Sequence, residues 1–280
     1  MQIVDRAQLA VLASSVVAVG SFDGVHRGHR TLLRTLRRLG DTAGMKTALV
    51  TFDPIPRALI YPASAPPLLC TVSTRLRLLA SSGAVDYCCV LPFDERRRHE
   101  TFEEFVTHDL IRRFGMKMLV VGENFACGRG RKGDVVALRE LGRSCGFSVE
   151  AQPLHTPRGL PSCSSSEARR LIQLGELVKA ARLLDRVHEM TGVVLANREF
   201  VQPNEIQVAL DDNLCAPPEE DYLGAVRISE TANWKKAILR ICNATSIGRR
   251  TVHITLGSDI RVKTGDALTM RFAQRVGSTI

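Results

Sequence analysis

The sequence predicts an α/β protein in which a doubly wound parallel sheet is followed by a small barrel-like β domain. Up to about residue 185, short apolar runs alternate with amphipathic helical patterns. That alternation is typical of parallel strands with helices on both faces of the sheet. After about residue 190, short strand patterns separated by polar turns indicate a small barrel or sandwich. We therefore expect two domains, 1–187 and 188–280, with the junction near Asp185–Thr191.

Each element is predicted from the spacing of its apolar residues, which are continuous in the strands and three or four positions apart in the helices. The strands of the first domain are predicted at Val16–Gly20, Thr47–Phe52, Tyr87–Leu91, Met118–Gly122 and Phe147–Gln152. Its helices are predicted at Arg30–Leu39, Ser73–Ser82, Thr101–Phe114, Val135–Cys145 and Ser166–Leu174. The strands of the second domain are predicted at Thr191–Ala196, Glu205–Leu210, Leu223–Ile228, Lys236–Asn243, Thr251–Leu256 and Leu268–Phe272.

The segment Gly20-Ser-Phe-Asp-Gly-Val-His-Arg-Gly-His29, called here the histidine loop, carries the clearest chemical signal. It follows the apolar run Leu9–Val19, which we interpret as a core strand rather than as part of a signal peptide. Leucines at helical spacing follow it, and Gly40 is expected to stop that helix. A helix N-terminus after a glycine-bearing turn binds phosphate, because free N–H groups and the positive end of the dipole face the anion.

Two histidines of this loop are candidates for the chemistry. His26 and His29 are three residues apart and would share one face of the first helical turn, while Gly28 lets a ligand approach the backbone. The two side chains could also be ordinary polar residues at a helix start. A metal site is less favoured, because no cysteine or carboxylate stands nearby at a usual metal-ligand spacing.

Composition limits the other function classes. The formal charge of +9 is dispersed and aromatic residues make up 5% of the chain, so a nucleic-acid partner is not favoured. A positively charged surface would instead attract nucleotide substrates. The eight cysteines form no C-x-x-C pair, which predicts reduced thiols in a cytoplasmic protein, with Cys88 and Cys89 in a buried strand. No run is long and apolar enough to span a membrane.

The histidine loop resembles the nucleotidylyltransferase signature of the bifunctional riboflavin kinase/FMN adenylyltransferases, G-x-F-D-G-V-H-x-G-H, at every position. The resemblance implies a Rossmann-like HxGH nucleotidylyltransferase domain that transfers AMP from ATP to FMN, giving FAD and pyrophosphate, with Mg²⁺ accompanying the phosphates. It implies that the nucleotide is bound by the loop residues Gly20, Phe22, Asp23, Gly24, His26 and His29. Both histidines would stabilise charge on the α-phosphate.

Further motifs extend the resemblance over about the first 185 residues. They are Thr51-Phe-Asp-Pro-Ile-Pro56, Gly83-Ala-Val-Asp86, Leu91-Pro-Phe-Asp94, Val121-Gly-Glu-Asn-Phe125 with Gly128 and Gly133-Asp134, and Ser164-Ser-Ser-Glu-Ala-Arg169. The family pattern has other residue types at four of these positions, which here are Ile55, Cys127, Ser166 and Ala168.

The resemblance also implies roles for residues outside the histidine loop. A second anion site for the β- and γ-phosphates would comprise Ser164, Ser165, Ser166 and Arg169, with Ser165 and Arg169 among the catalytic residues. The acceptor would be bound by Asp53, Asn124, Phe125 and Arg131. Taken alone, the serines would be a helix N-cap, and the asparagine and aspartate would be turn residues.

Two departures from the family bear on function. Residues 191–280 lack the family's P-T-A-N motif, and Leu268–Val276 lacks a glutamate, so we expect a degenerate riboflavin-kinase-like domain without kinase activity. Ile60 and Cys127 stand where the family has aromatic residues beside the flavin, although Tyr61 is adjacent. Two alternatives therefore stay open: another phosphorylated acceptor, with ATP or CTP as donor, or a catalytically silent flavin- or nucleotide-binding regulator. The second domain could bind a protein partner.

Overall fold

The computed structural model describes residues 1–4, 12–153, 162–195, 205–229, 232–242, 249–257 and 262–277. The chain divides into two compact units. The first comprises Met1–Pro66 and Val72–Thr156, and the second comprises Pro67–Thr71 and Pro157–Ile280. These units group residues that contact each other, and they are not the same as the domains predicted along the sequence. The domain boundary after residue 187 therefore stays a prediction.

The first unit is built on a parallel sheet, as the sequence predicts. Among the described residues its strand order is β1-β4-β3-β2-β5-β8, with every neighbouring pair parallel. The strands of this unit are β1 (Gln2–Ile3), β2 (Ser15–Val19), β3 (Lys46–Asp53), β4 (Tyr87–Pro92), β5 (Met116–Gly122), β6 (Ala126–Cys127), β7 (Gly133–Asp134) and β8 (Ser148–Gln152). The short strands β6 and β7 form a separate antiparallel pair. The five predicted strands are confirmed; residues 9–11 of the opening apolar run lie outside the described residues.

Helices connect the strands of this sheet and pack against it in two separate hydrophobic clusters. They are α1 (Arg27–Ala43), α2 (Pro56–Ile60), α3 (Val72–Ala80), α4 (Glu95–His99), α5 (Phe102–Phe105), α6 (Arg112–Phe114) and α7 (Val135–Cys145). A π-helical stretch, Val106–Ile111, joins α5 to α6, so the predicted helix Thr101–Phe114 is continuous but not α-helical throughout. The short helices α2 and α4 have too few residues to show a hydrophobic period, which is why the sequence did not indicate them.

The predicted helix stop at Gly40 is wrong. Helix α1 continues through Gly40 to Ala43, and Gly44, in the left-handed region at φ 63°, ends it. Gly40 is instead a packing position, because a Cβ there would lie 2.6 Å from Cγ2 of Thr47. The glycine therefore allows α1 to pack closely against strand β3 and does not end the helix.

The strand order reverses between β2 and β5. The chain runs outward from β2 through β3 to β4 and then returns to the other side of β2 as β5. Ligands of such sheets bind in the crevice beyond the carboxyl ends of the strands at this reversal. The histidine loop follows β2 and Asn124 follows β5, so both stand at that edge.

The second unit contains two helices and a closed antiparallel barrel, which confirms the predicted small β domain. Among the described residues the barrel order is β10-β13-β12-β11-β14-β9, closed by pairing of β9 with β10. Its elements are α8 (Ser165–Gln173), α9 (Leu177–Leu184), β9 (His188–Val194), β10 (Glu205–Leu210), β11 (Asp221–Arg227), β12 (Lys235–Cys242), β13 (Thr251–Leu256) and β14 (Ala267–Arg275). The predicted strand ends Ala196 and Asn243 lie outside the described residues.

The cysteines and the helices agree with two further predictions. All eight cysteines are described and free of disulfides, and Cys88 and Cys89 are fully buried in β4. Within the described ranges, no helix has the length and apolar character needed to cross a membrane.

Candidate functional site

The histidine loop is held in its conformation by buried side chains. Phe22 and Val25 adopt left-handed backbone conformations at φ 48° and 40°, which non-glycine residues rarely do. Each of the two side chains is only 1% exposed, and between them Gly24 is at φ 77°. Packing therefore fixes a turn that the backbone would not adopt on its own.

His26 and His29 come together at the start of α1. Their rings stack with centroids 3.6 Å apart, and the ring of Phe22 lies 5.0 Å from that of His29. His26 is the N-cap, and its Nδ1 accepts a hydrogen bond from the backbone N–H of His29 at 3.3 Å. Because Nδ1 is an acceptor, the neutral imidazole carries its proton on Nε2. The loop thus presents a fixed tautomer beside a helix N-terminus.

Arg75 is a positioning residue that the sequence analysis missed. Its side chain is 1% exposed, and its Nη1 donates to the carbonyl oxygens of Ser21 and Phe52 at 2.8 and 2.9 Å and to Oγ1 of Thr51 at 3.1 Å. It thereby ties the histidine loop to the end of β3. A signal was available, because Arg75 shares the buried face of α3 with Leu78 and Leu79.

A cleft of about 910 Å³, called here the aromatic cleft, opens at the same edge of the sheet. It is bordered by Gly20 and Ser21 after β2, and by Asn124 and Phe125 after β5. Its aromatic lining comprises Phe52, Tyr61, Phe93, Phe105 and Phe125, and its basic lining comprises Arg57, Arg97, Arg98, Arg129 and Arg131. A space of this size with broad apolar faces and a few polar groups is typical of a small-molecule site.

The predicted acceptor residues fall into two groups. Asn124, Phe125 and Arg131 line the aromatic cleft, and Nη2 of Arg131 donates to the carbonyl oxygen of Asn124 at 3.2 Å. Asp53 ends strand β3 and is not among the lining residues. Ile60 and Cys127 also line the cleft, and their position beside a flavin stays a prediction.

Two glycines shape the β6–β7 side of the aromatic cleft. A Cβ on Gly128 would lie 2.4 Å from the backbone nitrogen of Phe102, and one on Gly133 would lie 2.4 Å from Cβ of Phe102. Only glycine allows this approach to the start of α5. The same loop is fixed by the backbone N–H of Arg129, which donates to the carbonyl oxygen of Glu100 at 2.8 Å.

The serine–arginine motif belongs to the second unit. Oγ of Ser164 caps α8 by accepting the backbone N–H of Glu167 at 3.1 Å, Ser165 begins the helix, and Ser166 is exposed. Arg169 is 8% exposed, and its Nε donates to the carbonyl oxygen of Pro67 at 2.7 Å. The capping alternative is thus present in the structure, and a shared site with the histidine loop stays a prediction.

Comparison with known proteins assigns the family. A sequence model described as FAD synthetase matches residues 9–166, which is more than half of the chain. The chain belongs to the FAD synthetase family. It is 33% identical over 185 residues to the bifunctional riboflavin kinase/FMN adenylyltransferase of Escherichia coli K12, covering 66% of this chain and 58% of that protein. It is 34% identical over 187 residues to the Pseudomonas fluorescens protein of that name, covering 67% and 59%.

Coverage differs among the relatives of this family. The chain aligns with less than two thirds of the length of the two bifunctional proteins above. The Buchnera aphidicola (Schizaphis graminum) protein of the same name is 27% identical over 235 residues, covering 82% of this chain and 73% of that protein. A solved structure described as a macrolide-efflux protein from Streptococcus pneumoniae superposes with a TM-score of 0.84 at 19% identity, over 100% of this chain and 92% of that one. At that identity it supports the fold alone.

Proposed function

We propose that this FAD synthetase family member transfers AMP from ATP to FMN, giving FAD and pyrophosphate, and lacks riboflavin kinase activity. One observation carries the proposal: the histidine loop and the aromatic cleft share Gly20 and Ser21. The turn proposed to bind phosphate and the cavity proposed to bind the ring are thus adjacent, at the edge of the sheet where ligands of such folds bind. The family and its named relatives support the same reaction.

The reaction needs positioning and charge stabilisation rather than a protein nucleophile. A phosphate oxygen of FMN attacks the α-phosphorus of ATP, the new O–P bond forms, and the bond to the bridging oxygen breaks in line. Pyrophosphate leaves with the electron pair. We assign His26 Nε2–H and His29 as donors to the α-phosphate, beside the N–H groups at the start of α1. Gly20, Phe22, Asp23 and Gly24 shape that turn in the proposed site.

The remaining triphosphate contacts are part of the same proposal. Ser164, Ser165 and Ser166 begin α8, whose N-terminal N–H groups suit the β- and γ-phosphates, and Arg169 would neutralise charge there. Mg²⁺ usually binds nucleotides through phosphate oxygens and water. The described residues form no cluster of three or more His, Cys, Asp or Glu side chains around a metal position, so we assign no protein ligand to Mg²⁺.

The aromatic cleft is proposed as the FMN site. The isoalloxazine ring requires broad apolar faces, and five aromatic side chains line this cavity despite Ile60 and Cys127. Asn124, Phe125 and Arg131 lie on its β5 side, where the FMN phosphate would meet the histidine loop. We include Asp53 among the acceptor-binding residues because it ends the adjacent strand.

The absence of kinase activity is proposed from the second unit. Its described late strand, β14, reads ALTMRFAQR and contains no glutamate to act as a general base. The segment in which the family has P-T-A-N falls largely within residues 196–204, outside the described residues. We therefore propose that residues 188–280 form a degenerate kinase-like domain.

One assay tests these proposals. The full chain is incubated with Mg²⁺, ATP or CTP, and a panel of phosphorylated acceptors, while pyrophosphate release is followed. Release with ATP and FMN, with FAD identified by chromatography, is the expected result. Release only with another pair would replace the substrates, and no release with any pair would leave a silent binding protein.

The kinase proposal has its own measurement. Riboflavin and ATP should yield no FMN with an enzyme that is active on FMN. Detectable FMN would overturn the interpretation of the second unit.

A further inference from the structure

A buried ion network stands at one wall of the aromatic cleft. The side chain of Arg97, in α4, is 3% exposed, and its Nη1 lies 2.8 Å from Oε2 of Glu100 and 2.8 Å from Oδ2 of Asp109. The other carboxylate oxygen of Asp109 lies 3.5 Å from Nη2 of Arg113. Among these four, Arg97 and Glu100 line the cleft.

The network leaves three buried guanidinium nitrogens without a hydrogen-bond partner among the described groups, and of its two arginines only Arg97 lines the cleft; the other is Arg113. Nη2 of Arg97 is buried and has no hydrogen-bond partner among the described groups. A buried donor on a charged group costs about 1–3 kcal/mol or more when it is left unpaired. Since Arg97 borders a cavity, a ligand in that cavity can supply the missing acceptor.

The charges of this wall indicate which kind of ligand group it suits. Within the network two guanidinium groups and two carboxylates offset each other, so the network itself carries no net positive charge, and the other lining arginines of the cleft lie outside it. Burial raises the pKa of the Glu100 carboxyl, although Arg97 opposes that shift. A neutral group that offers both an acceptor and a donor fits such a pair better than an anion does.

The surfaces beside the pair indicate a flat ligand. The guanidinium carbon of Arg97 lies 5.6 Å from the centroid of the Phe105 ring. Phe52 contacts Phe105 and Phe93 with ring centroids 6.1 and 5.8 Å away. The polar pair is therefore continuous with an aromatic slot, as a heteroaromatic ring with one polar edge would require.

We propose that Arg97 and Glu100 read an imide edge on the acceptor's ring: Nη2 of Arg97 donates to a ring carbonyl, and the carboxylate of Glu100 accepts from the neighbouring ring N–H. The proposal rests on the proposed function, because the pyrimidinedione part of FMN presents such an edge. It assigns acceptor specificity to α4 and the residues after it, away from the phosphates. Both side chains are specificity determinants and take no part in phosphoryl chemistry.

The donor–acceptor match can be tested by a paired change of ligand and protein. FMN methylated at N3 lacks the ring N–H, and binding is followed through quenching of flavin fluorescence. Wild type should bind the methylated ligand about tenfold more weakly than FMN, the scale of one hydrogen bond to a charged group. In Glu100→Leu that methylation penalty should fall below about twofold, because the accepting carboxylate is gone. An equal penalty in both proteins would overturn the proposal.

Arg97 is tested by a variant that keeps its charge between the carboxylates. Arg97→Met would remove the cation beside Glu100, leave Asp109 with Arg113 alone, and risk misfolding. Arg97→Lys retains the cation but lacks the second nitrogen, so we expect a KM for FMN about tenfold higher with the KM for ATP unchanged. Arg96→Lys is the matched control, because Arg96 is exposed and does not line the cleft. Unchanged KM values for Arg97→Lys would count against the proposal.

The outcomes separate this proposal from the proposed function. If wild type turns over FMN but the methylation penalty is the same in wild type and Glu100→Leu, the proposed recognition of the imide edge is overturned and the proposed reaction is not. If wild type binds FMN and the methylation penalty falls in Glu100→Leu, but no pyrophosphate is released, the proposed recognition of the imide edge is supported and the proposed reaction is overturned. Failure of wild type to bind FMN overturns both.

Discussion

The histidine loop and the aromatic cleft border each other but are encoded in different ways. The loop is ten consecutive residues whose capping and ring stacking are formed within the segment and by its own buried side chains, with an outside anchor where Arg75 donates to the carbonyl oxygen of Ser21. The cleft is assembled from residues that lie at the ends of different strands or follow them, and one wall is held by ion pairs between α4 and the π-helical stretch. The difference teaches that, on the proposed function, the reaction type is encoded locally, whereas acceptor selection depends on tertiary structure.

The largest effect is expected where the two regions meet, at Arg75. Arg75→Met removes the donor to the carbonyl oxygens of Ser21 and Phe52 and to Oγ1 of Thr51. Phe52 and Thr51 are buried, and Ser21 is half-buried. The free energy of unfolding should fall by about 3 kcal/mol or more, since each unsatisfied buried group costs about 1–3 kcal/mol. Urea denaturation measures the loss.

Arg38→Met is the control for this change, because Arg38 is an exposed arginine in α1. Its unfolding midpoint should match that of wild type. If Arg75→Met were as stable as this control, the loop and the cleft would not depend on a shared anchor.

The next effect isolates the loop. His29→Ala should lower kcat by more than tenfold, up to about 10²-fold, because one preorganised donor to the developing charge is lost. Pyrophosphate release measures the rate, and circular dichroism confirms that the fold is intact. His108→Ala, at an exposed histidine in the π-helical stretch, should retain full activity. Near-normal turnover of His29→Ala would remove this histidine from the proposed mechanism.

A smaller effect isolates the cleft. Tyr61 lines it and is 58% exposed, so Tyr61→Ala should raise the KM for FMN about three- to tenfold, as loss of one aromatic contact implies. The KM for ATP should not change. Tyr61→Phe keeps the ring and should behave as wild type; if it were equally impaired, the hydroxyl rather than the ring would be the contact.

The smallest effect is expected at Cys127. Burial raises the pKa of this thiol to about 12, so it stays protonated below that pH and presents a small apolar surface to the cleft. Cys127→Ala should change the KM for FMN by less than about twofold. Mass spectrometry after iodoacetamide treatment at pH 8 should show slower alkylation of Cys127 than of the exposed Cys145. Preferential alkylation of Cys127 would contradict this assignment.

The contrast between loop and cleft also explains what the sequence could predict. The strands and most helices follow from periodicity, and the parallel sheet and barrel are confirmed. The turn of the histidine loop follows from neighbouring residues, and its binding of phosphate stays a prediction. Helix α1 nevertheless begins earlier than predicted, because His26 caps it through a side-chain contact that periodicity does not report. The helix also continues past Gly40, where a glycine is needed for close packing against Thr47 of β3, a contact that the local sequence does not report.

The functional arginines show where such reasoning fails. Arg75 stands in a helical pattern in which an arginine is ordinarily solvated, yet it is buried by partners in the histidine loop and β3, so its role depends on which strands become neighbours. Arg97 stands in α4, which the sequence did not indicate, and its burial depends on the approach of Asp109 in the π-helical stretch. The local sequence around each of them contains no equivalent of the histidine loop.

The segment Pro67–Thr71 has a consequence for how this chain can be divided. Although it lies between α2 and α3 in the sequence, its Leu68 exchanges backbone hydrogen bonds with Asn213 and Cys215 at 2.6 and 2.8 Å. The barrel unit therefore contains a piece of chain inserted within the sequence of the sheet unit. No single cut separates the two units. Evolution could shorten or lose the barrel only by also rebuilding this excursion between the two helices.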